Sequence, residues 1–180
     1  ATVSGLSFMG YLNMKLKPIT FKLYGIYGQN TSNVINMGGY AAVYDTTYTQ
    51  AQIEQGYVEY VPTTTMSTWL DLSTNGKKVQ FGLFAGYTQN MGAAEEIDNA
   101  TFSGLWGNVN SIMRVSPRVV FLSEKTKIGF EIEYQTIDYA KGDPLGTTTE
   151  AITGMDEFGV VTGYETANNI KALLSFTYLF

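Results

Sequence analysis

The sequence contains no cysteine and no histidine, and each absence excludes a class of chemistry. Without cysteine there is no disulfide framework, no thiolate metal site and no cysteine nucleophile. Without histidine the chain lacks the commonest general base and the commonest transition-metal ligand. Serine–histidine–aspartate and cysteine–histidine catalysis therefore cannot occur within these residues. We predict no enzymatic activity, no cofactor and no metal site.

The chain is also poor in charge. Charged residues make up 15% of the sequence, well under the roughly 25% of soluble domains. The net charge of −5 gives no electrostatic support for a nucleic-acid partner, and no apolar run reaches the ~20 residues of a membrane-spanning helix. Present instead are 19 glycines and 13 tyrosines. This composition suits a β protein whose rings lie between apolar and aqueous surroundings.

Apolar residues recur at every second position in seven segments, which predicts β-strands rather than helices. Each segment is about as long as the 9–11 residues that a strand needs to cross a membrane. The predicted strands cover residues 5–16, 19–28, 58–72, 78–88, 111–122, 127–137 and 170–180. Short connections at 17–18, 73–77 and 123–126 alternate with long polar loops near 29–57, 89–110 and 138–168.

The three short connections predict hairpins whose strands present matching faces. Centring the turns on residues 17–18, 75–76 and 124–125 pairs Leu12 with Leu23, Leu72 with Val79, and Val119 with Phe130. A slip of one residue would put every side chain on the wrong face, so agreement in all three hairpins supports the strand assignment. Pro117 lies inside the fifth strand and removes one ladder hydrogen bond, which predicts a bulge or a bend there.

One face of the predicted strands is apolar throughout, and the other carries nearly all the charge. The charged face holds the residues that we expect to line a lumen: Lys15, Lys22, Asp71, Arg114, Arg118, Lys127, Glu131, Glu133 and Lys171. It also holds the rings of Tyr11, Tyr24, Trp69 and Phe84. A soluble antiparallel barrel or sandwich would use the apolar face as its core. The strands are about twice the usual 5–6 residues, and short turns alternate with long loops, so the pattern favours an all-β, antiparallel transmembrane β-barrel.

The chain ends on Phe176-Thr-Tyr178-Leu-Phe180, with an aromatic residue at every second position. This ending resembles the C-terminal signal of Gram-negative outer-membrane β-barrel proteins, in which the last strand ends on Phe and is read by the barrel-assembly machinery. The resemblance implies a location in the outer membrane, among its lipids, and an assembly role for Phe176, Tyr178 and Phe180. The whole pattern is similar to the C-terminal part of a porin. Many porins are trimers, so a homotrimer is a further implication of the resemblance.

The strand count leaves two alternatives open. In such barrels the C-terminus is periplasmic, which places the short turns inside and the long loops outside. Seven strands is an odd number, whereas bacterial single-chain barrels have an even number. Residues 1–180 are then either the C-terminal portion of a barrel of about 14–18 strands, or a single, complete eight-stranded barrel with a strand hidden at 33–45. The charged inner face favours the larger barrel, because it suits a wide, wet lumen.

The leading functional hypothesis is a porin for passive diffusion of small polar solutes or ions. Arg114 and Arg118 share the inner face, and Glu131 is expected opposite Arg118. Such charges set up a field across a water-filled pore; the alternative is a packed salt-bridge network in a small barrel with a structural or adhesive role. The loop at 29–57 is long enough to fold into the lumen, although a surface loop is an equal alternative. Outer-membrane barrel enzymes generally rely on a histidine, which this chain lacks.

Overall fold

The computed structural model describes residues 2–43, 49, 51–52, 58–142 and 154–180. These residues form an all-β, antiparallel structure with nine strands, which confirms the predicted fold class at this level. The strands are β1 Ser7–Lys15, β2 Ile19–Gln29, β3 Gly38–Ala42, β4 Tyr60–Thr74, β5 Val79–Ala93, β6 Ser103–Leu105, β7 Val109–Ser123, β8 Thr126–Ala140 and β9 Tyr164–Tyr178. Short 3-10 turns lie at Thr31–Val34 and Asn99–Thr101.

The seven predicted strands are confirmed as the long strands of one continuous sheet. Their order is β1-β2-β4-β5-β7-β8-β9, so each pairs with its neighbours in the chain apart from the short β3 and β6. The three short turns lie at one end of the sheet and the three long connections at the other. Strands β4, β5, β7, β8 and β9 each have 15 residues. These strands extend beyond the apolar segments predicted from the sequence, because backbone pairing continues into the polar residues next to the long connections.

Two of the three predicted hairpin registers are confirmed: Leu12 pairs with Leu23, and Val119 with Phe130. Val119 lies close to Pro117, where a bulge or a bend was predicted, and the register shows no bulge there. Pairing between β7 and β8 is interrupted around Pro117 and then resumes without a shift, while pairing with β5 continues through it. The missing N–H therefore leaves a gap in the ladder but does not change the register.

The predicted register of the middle hairpin is wrong, because Leu72 pairs with Leu83 instead of Val79. Asn75 explains the difference. Its backbone N–H and its side-chain amide donate hydrogen bonds of 2.9 and 2.7 Å to carbonyl groups of the adjacent turn at 16–18. Asn75 is therefore fixed to the neighbouring hairpin and does not close a two-residue turn of its own. Because the register differs by an even number, every side chain keeps its predicted face.

The described parts of the long connections pack together into a small domain-like cap at their end of the sheet. This loop cap consists of residues 30–43, 93–105 and 155–161. Its centre is a buried cluster of Ala41 and Ile97 with Val61 of β4, and β3 pairs with both β4 and β6. Backbone hydrogen bonds of 2.7 Å from residues 93 and 97 to the 157–158 segment join the second and third connections. Most of the fully buried apolar side chains thus lie in or beside the loop cap and not against the sheet.

The sheet is not closed as a barrel in the described part of the chain. Strands β1 and β9 are its two edges, and both run from the loop-cap end to the turn end. The segment at 33–45, where a hidden strand was one alternative, does contain β3. That strand has only five residues and lies off the main path, so it does not extend the wall by an eighth full-length strand. Much of the rest of the loop at 29–57 lies outside the described residues.

The register of the β4–β5 hairpin can be tested by disulfide formation, because the chain has no cysteine of its own. We expect the Leu72→Cys/Leu83→Cys variant to oxidise to an intramolecular disulfide, since directly paired residues meet the required Cα separation. The control Leu72→Cys/Val79→Cys should stay reduced, because four residues along a strand displace the second thiol by about 13 Å. Titration of free thiols after mild oxidation measures disulfide formation in both variants. A cross-link in the control alone would contradict the observed register.

Candidate functional site

Large apolar side chains lie on one surface of the sheet along all seven long strands. We call this surface the apolar face. Leu174 is 78% exposed and Phe8 is 66% exposed, values far from those of a protein core. One representative from each strand is Phe8, Leu23, Leu70, Phe81, Met113, Phe130 and Leu174; Leu70 is partly buried and the other six are exposed. A continuous apolar surface across a whole sheet is typical of a protein or membrane interface.

The opposite surface, which we call the polar face, carries all nine charged residues that were predicted to line a lumen. Strand alternation and the observed registers put them on one side of the sheet. Six of the nine form two ion-pair groups: Asp71 with Arg118, and Arg114 and Lys171 with Glu131 and Glu133. Lys15, Lys22 and Lys127 share the face, and none of them forms an ion pair with another described residue.

Arg118 is paired with Glu131 in the backbone register, as expected, but its guanidinium bonds elsewhere. Its Nη2 lies 2.7 Å from Asp71 Oδ2 and donates a 2.9 Å hydrogen bond to Asp71 Oδ1. To reach Asp71 on β4 it crosses β5 at Gly82, which stands directly opposite Arg118. A Cβ at Gly82 would lie 2.6 Å from Arg118 Nε, so the crossing depends on glycine.

Arg114 belongs to the second ion-pair group, which spans β7, β8 and β9. It forms a close ion pair with Glu133 and a longer one, of 3.6 Å, with Glu131. Lys171 approaches Glu133 from β9 at 3.2 Å. Two cations and two carboxylates thus compensate each other locally. The side chains of Arg114 and Lys171 are 43% and 52% exposed, so this network faces solvent while Glu133 is buried within it.

The glycines opposite the arginines are the signal that sequence reasoning missed. Arg114 and Arg118 are four residues apart on β7, and Gly82 and Gly86 are four residues apart on β5. The register places Gly82 opposite Arg118 and Gly86 opposite Arg114. The equal spacing was visible in the sequence, but its meaning depends on β5 and β7 being neighbours. The role of the nine charged residues in a lumen remains a prediction.

The residues predicted as an assembly signal lie at the edge strand. Phe176 and Tyr178 point to the apolar face of β9, where both are exposed. Phe180 follows the strand, and its ring centre lies 5.4 Å from that of Tyr178 in an edge-to-face arrangement. Such pairs keep apolar rings together at a surface. Their recognition by an assembly machinery remains a prediction.

Comparisons with family models, curated proteins and solved structures find no match for this chain. Within the described residues no helix is both long and apolar enough to cross a membrane. The same residues contain no group of three or more acidic side chains arranged to hold a metal ion. The contrast between the apolar and polar faces is therefore the feature from which a function can be inferred.

The Asp71–Arg118 pair should contribute to stability, because both side chains are mostly buried. We expect Asp71→Ala to lower the free energy of unfolding by about 1–3 kcal/mol, since it leaves a charged donor without its acceptor. Lys15→Ala is the matched control on the same face and should change the free energy of unfolding by less than ~0.5 kcal/mol. Denaturant unfolding in detergent measures both variants, and equal effects would show that the ion pair is energetically neutral.

Proposed function

We propose that the seven-stranded sheet forms part of the wall of a transmembrane β-barrel in the outer membrane of a Gram-negative bacterium. We further propose that this barrel is a channel for passive diffusion of small polar solutes or ions. The observation that carries the proposal is the distribution of polarity: large apolar side chains are exposed on one face, while ion pairs occupy the other. Lipid would cover the apolar face, and water would cover the polar face.

Strand length supports a membrane span. The five longest strands each have 15 residues, which is about 50 Å of strand at ~3.3 Å per residue. At a tilt near 40° this corresponds to roughly 38 Å along the membrane normal. That length exceeds the ~25 Å apolar band of outer-membrane barrels. The excess lies at the loop-cap end, where Thr63 and Thr65 of β4 are buried.

Strand direction supports a barrel larger than the described sheet. Because β1 and β9 run the same way, joining them would create a parallel seam. An odd number of further strands between the two edges would keep every pair antiparallel. Adding them gives the even total that bacterial barrels show, and it accommodates the expected 14–18 strands. A homotrimer remains an implication of the porin resemblance.

In this proposal the channel works without a chemical step. The ion pairs hold Arg114, Arg118 and Lys171 against the wall, which fixes the width and charge of the passage. Lys15 and Lys22, with Lys127, then give the wall a surplus of positive charge, so small anions should pass more readily than cations.

A second candidate is a small closed barrel with a structural or adhesive role. The compensated charges of Arg114, Lys171, Glu131 and Glu133 favour it, because a blocked interior requires every buried charge to be paired. The exposure of Arg114 and Lys171 favours the channel instead.

Conductance in planar lipid bilayers distinguishes the two candidates. The channel predicts stable single-channel steps with a conductance on the order of a nanosiemens, as expected for a water-filled barrel of this size class. Heat-denatured protein at the same detergent concentration is the control. Complete absence of steps from folded protein would overturn the channel and leave the closed barrel.

The ion preference tests the polar face more specifically. Arg114→Glu/Arg118→Glu should move the reversal potential in a salt gradient toward cations, because it replaces two positive wall charges by negative ones. The control variant Lys77→Glu/Lys78→Glu makes the same change in net charge, but in the turn, and should move the reversal potential less. An unchanged reversal potential in the arginine variant would show that these residues do not line the passage.

A further inference from the structure

A row of aromatic rings crosses four neighbouring strands on the polar face. Tyr11 of β1, Tyr24 of β2, Trp69 of β4 and Phe84 of β5 form it. Trp69 is the centre of the row: its ring centre lies 6.1 Å from Tyr11, 5.6 Å from Tyr24 and 5.9 Å from Phe84. The guanidinium of Arg114 extends the row onto β7, at 5.4 Å from the Phe84 ring centre. Rings and a cation at these separations attract one another.

A depression of about 230 Å³ lies beside this row, and we call it the aromatic pocket. Gly86 leaves room for the Phe84 ring, which forms one side of it. The backbone register places Gly86 between Trp69 on one side and Arg114 on the other, and a Cβ at Gly86 would lie 3.1 Å from the Phe84 ring. The residues that matter for its chemistry are Trp69, Phe84, Gly86, Trp106, Arg114 and Gln135.

Trp106 lines the aromatic pocket and has an unusual backbone conformation. Its φ is 58°, in the left-handed region, and the residue is 49% exposed. Bulky residues rarely adopt this conformation, and such positions cluster at binding sites. The Trp106 carbonyl accepts a 3.1 Å hydrogen bond from Val109 N–H at the start of β7, which fixes the turn. The sequence contains two tryptophans, and both line this pocket.

Among the described residues, the polar groups that line the aromatic pocket carry no uncompensated charge. Arg114 is its one charged residue, and Glu133 and Glu131 neutralise it. The others are the amide of Gln135 and hydroxyls such as those of Ser67 and Thr88, which are 2.8 Å apart. A ligand that fits would have an apolar face to lie against rings and a rim of hydroxyl groups for hydrogen bonds. It would also be uncharged, and a sugar ring meets all three conditions.

We propose that the aromatic pocket binds one unit of a neutral saccharide, and that the aromatic row contacts the neighbouring units. The pocket is smaller than the ~300–1,000 Å³ of drug-sized ligand sites, which agrees with a single ring. This inference rests on the proposed function, because the polar face meets passing solutes only if it lines a channel. The proposal thereby names a substrate class for that channel: neutral oligosaccharides.

Intrinsic fluorescence tests the binding directly, since both tryptophans of the chain report from the pocket. Titration of the folded protein in detergent with a neutral glucose hexasaccharide should give a saturable change in emission. Trp69→Ala should weaken binding by about tenfold or more, with Trp106 still reporting, because a stacking surface is lost. Tyr134→Ala, on the apolar face, is the control and should bind like the unaltered protein. No saturable change, or equal affinity in the Trp69 variant, would overturn the inference.

Bilayer recordings separate this inference from the channel on which it rests. The hexasaccharide should interrupt the current in a concentration-dependent way in the unaltered protein, and at about tenfold higher concentration in Trp69→Ala. A polyethylene glycol of equal size controls for simple obstruction and should act equally on both. Open channels that the sugar affects no more than the polymer would overturn the sugar site while keeping the channel. A saturable change in emission in protein that shows no conductance would support the sugar site and overturn the channel.

Discussion

Backbone pairing between antiparallel strands is the constraint on which the other features of this protein depend. Each long strand is hydrogen-bonded along its length, and alternate side chains therefore project to opposite faces. The sequence places apolar residues at one set of alternate positions and charged residues at the other. The ladder converts that alternation into two surfaces with opposite solvent preferences. Neither surface is covered in the described residues, so the sheet needs a different environment on each side.

Two glycines of β5 organise the polar face, because they leave space for the side chains of neighbouring residues. Gly82 and Gly86 stand opposite the two arginines of β7, and the lack of side chains there lets Arg118 reach Asp71 on β4. At Gly86 the same absence leaves room for the Phe84 ring, which lines the aromatic pocket together with Trp69 and Arg114. Two glycines on one strand thus position both an ion pair and a pocket. In the proposed channel, these fixed charges and rings would present solutes with a preorganised surface.

Sequence reasoning succeeded where the chemistry is local. Strand existence, face assignment and the first and third hairpin registers follow from alternation and short turns, which involve residues close in the chain. The middle register did not follow, because Asn75 bonds to the adjacent turn, a contact between two hairpins. The loop cap was missed for a related reason. Its segments lack a period of two, and its core around Ala41 and Ile97 joins residues more than fifty positions apart.

The candidate site was predictable in composition but not in connectivity. The nine charged residues lie on one face, as expected from alternation. The partner of Arg118 depends on strand order and on Gly82, which a single strand pattern cannot supply. Trp106 lies outside any periodic segment, so alternation could not assign it to the pocket that it lines. These features depend on contacts between residues far apart in the chain, and not on the strand propensity of each segment.

In the proposed barrel, lipid covers the apolar face and water covers the polar face. Adjacent residues Leu174 and Ser175 of β9 belong to opposite faces, and the chain has no native cysteine to interfere with labelling. Single-cysteine variants at these positions can carry a fluorescent probe in reconstituted vesicles. We expect brominated acyl chains to quench the probe at 174, and aqueous iodide to quench the probe at 175. Equal quenching of both probes by iodide, or quenching of the 175 probe by lipid alone, would contradict it.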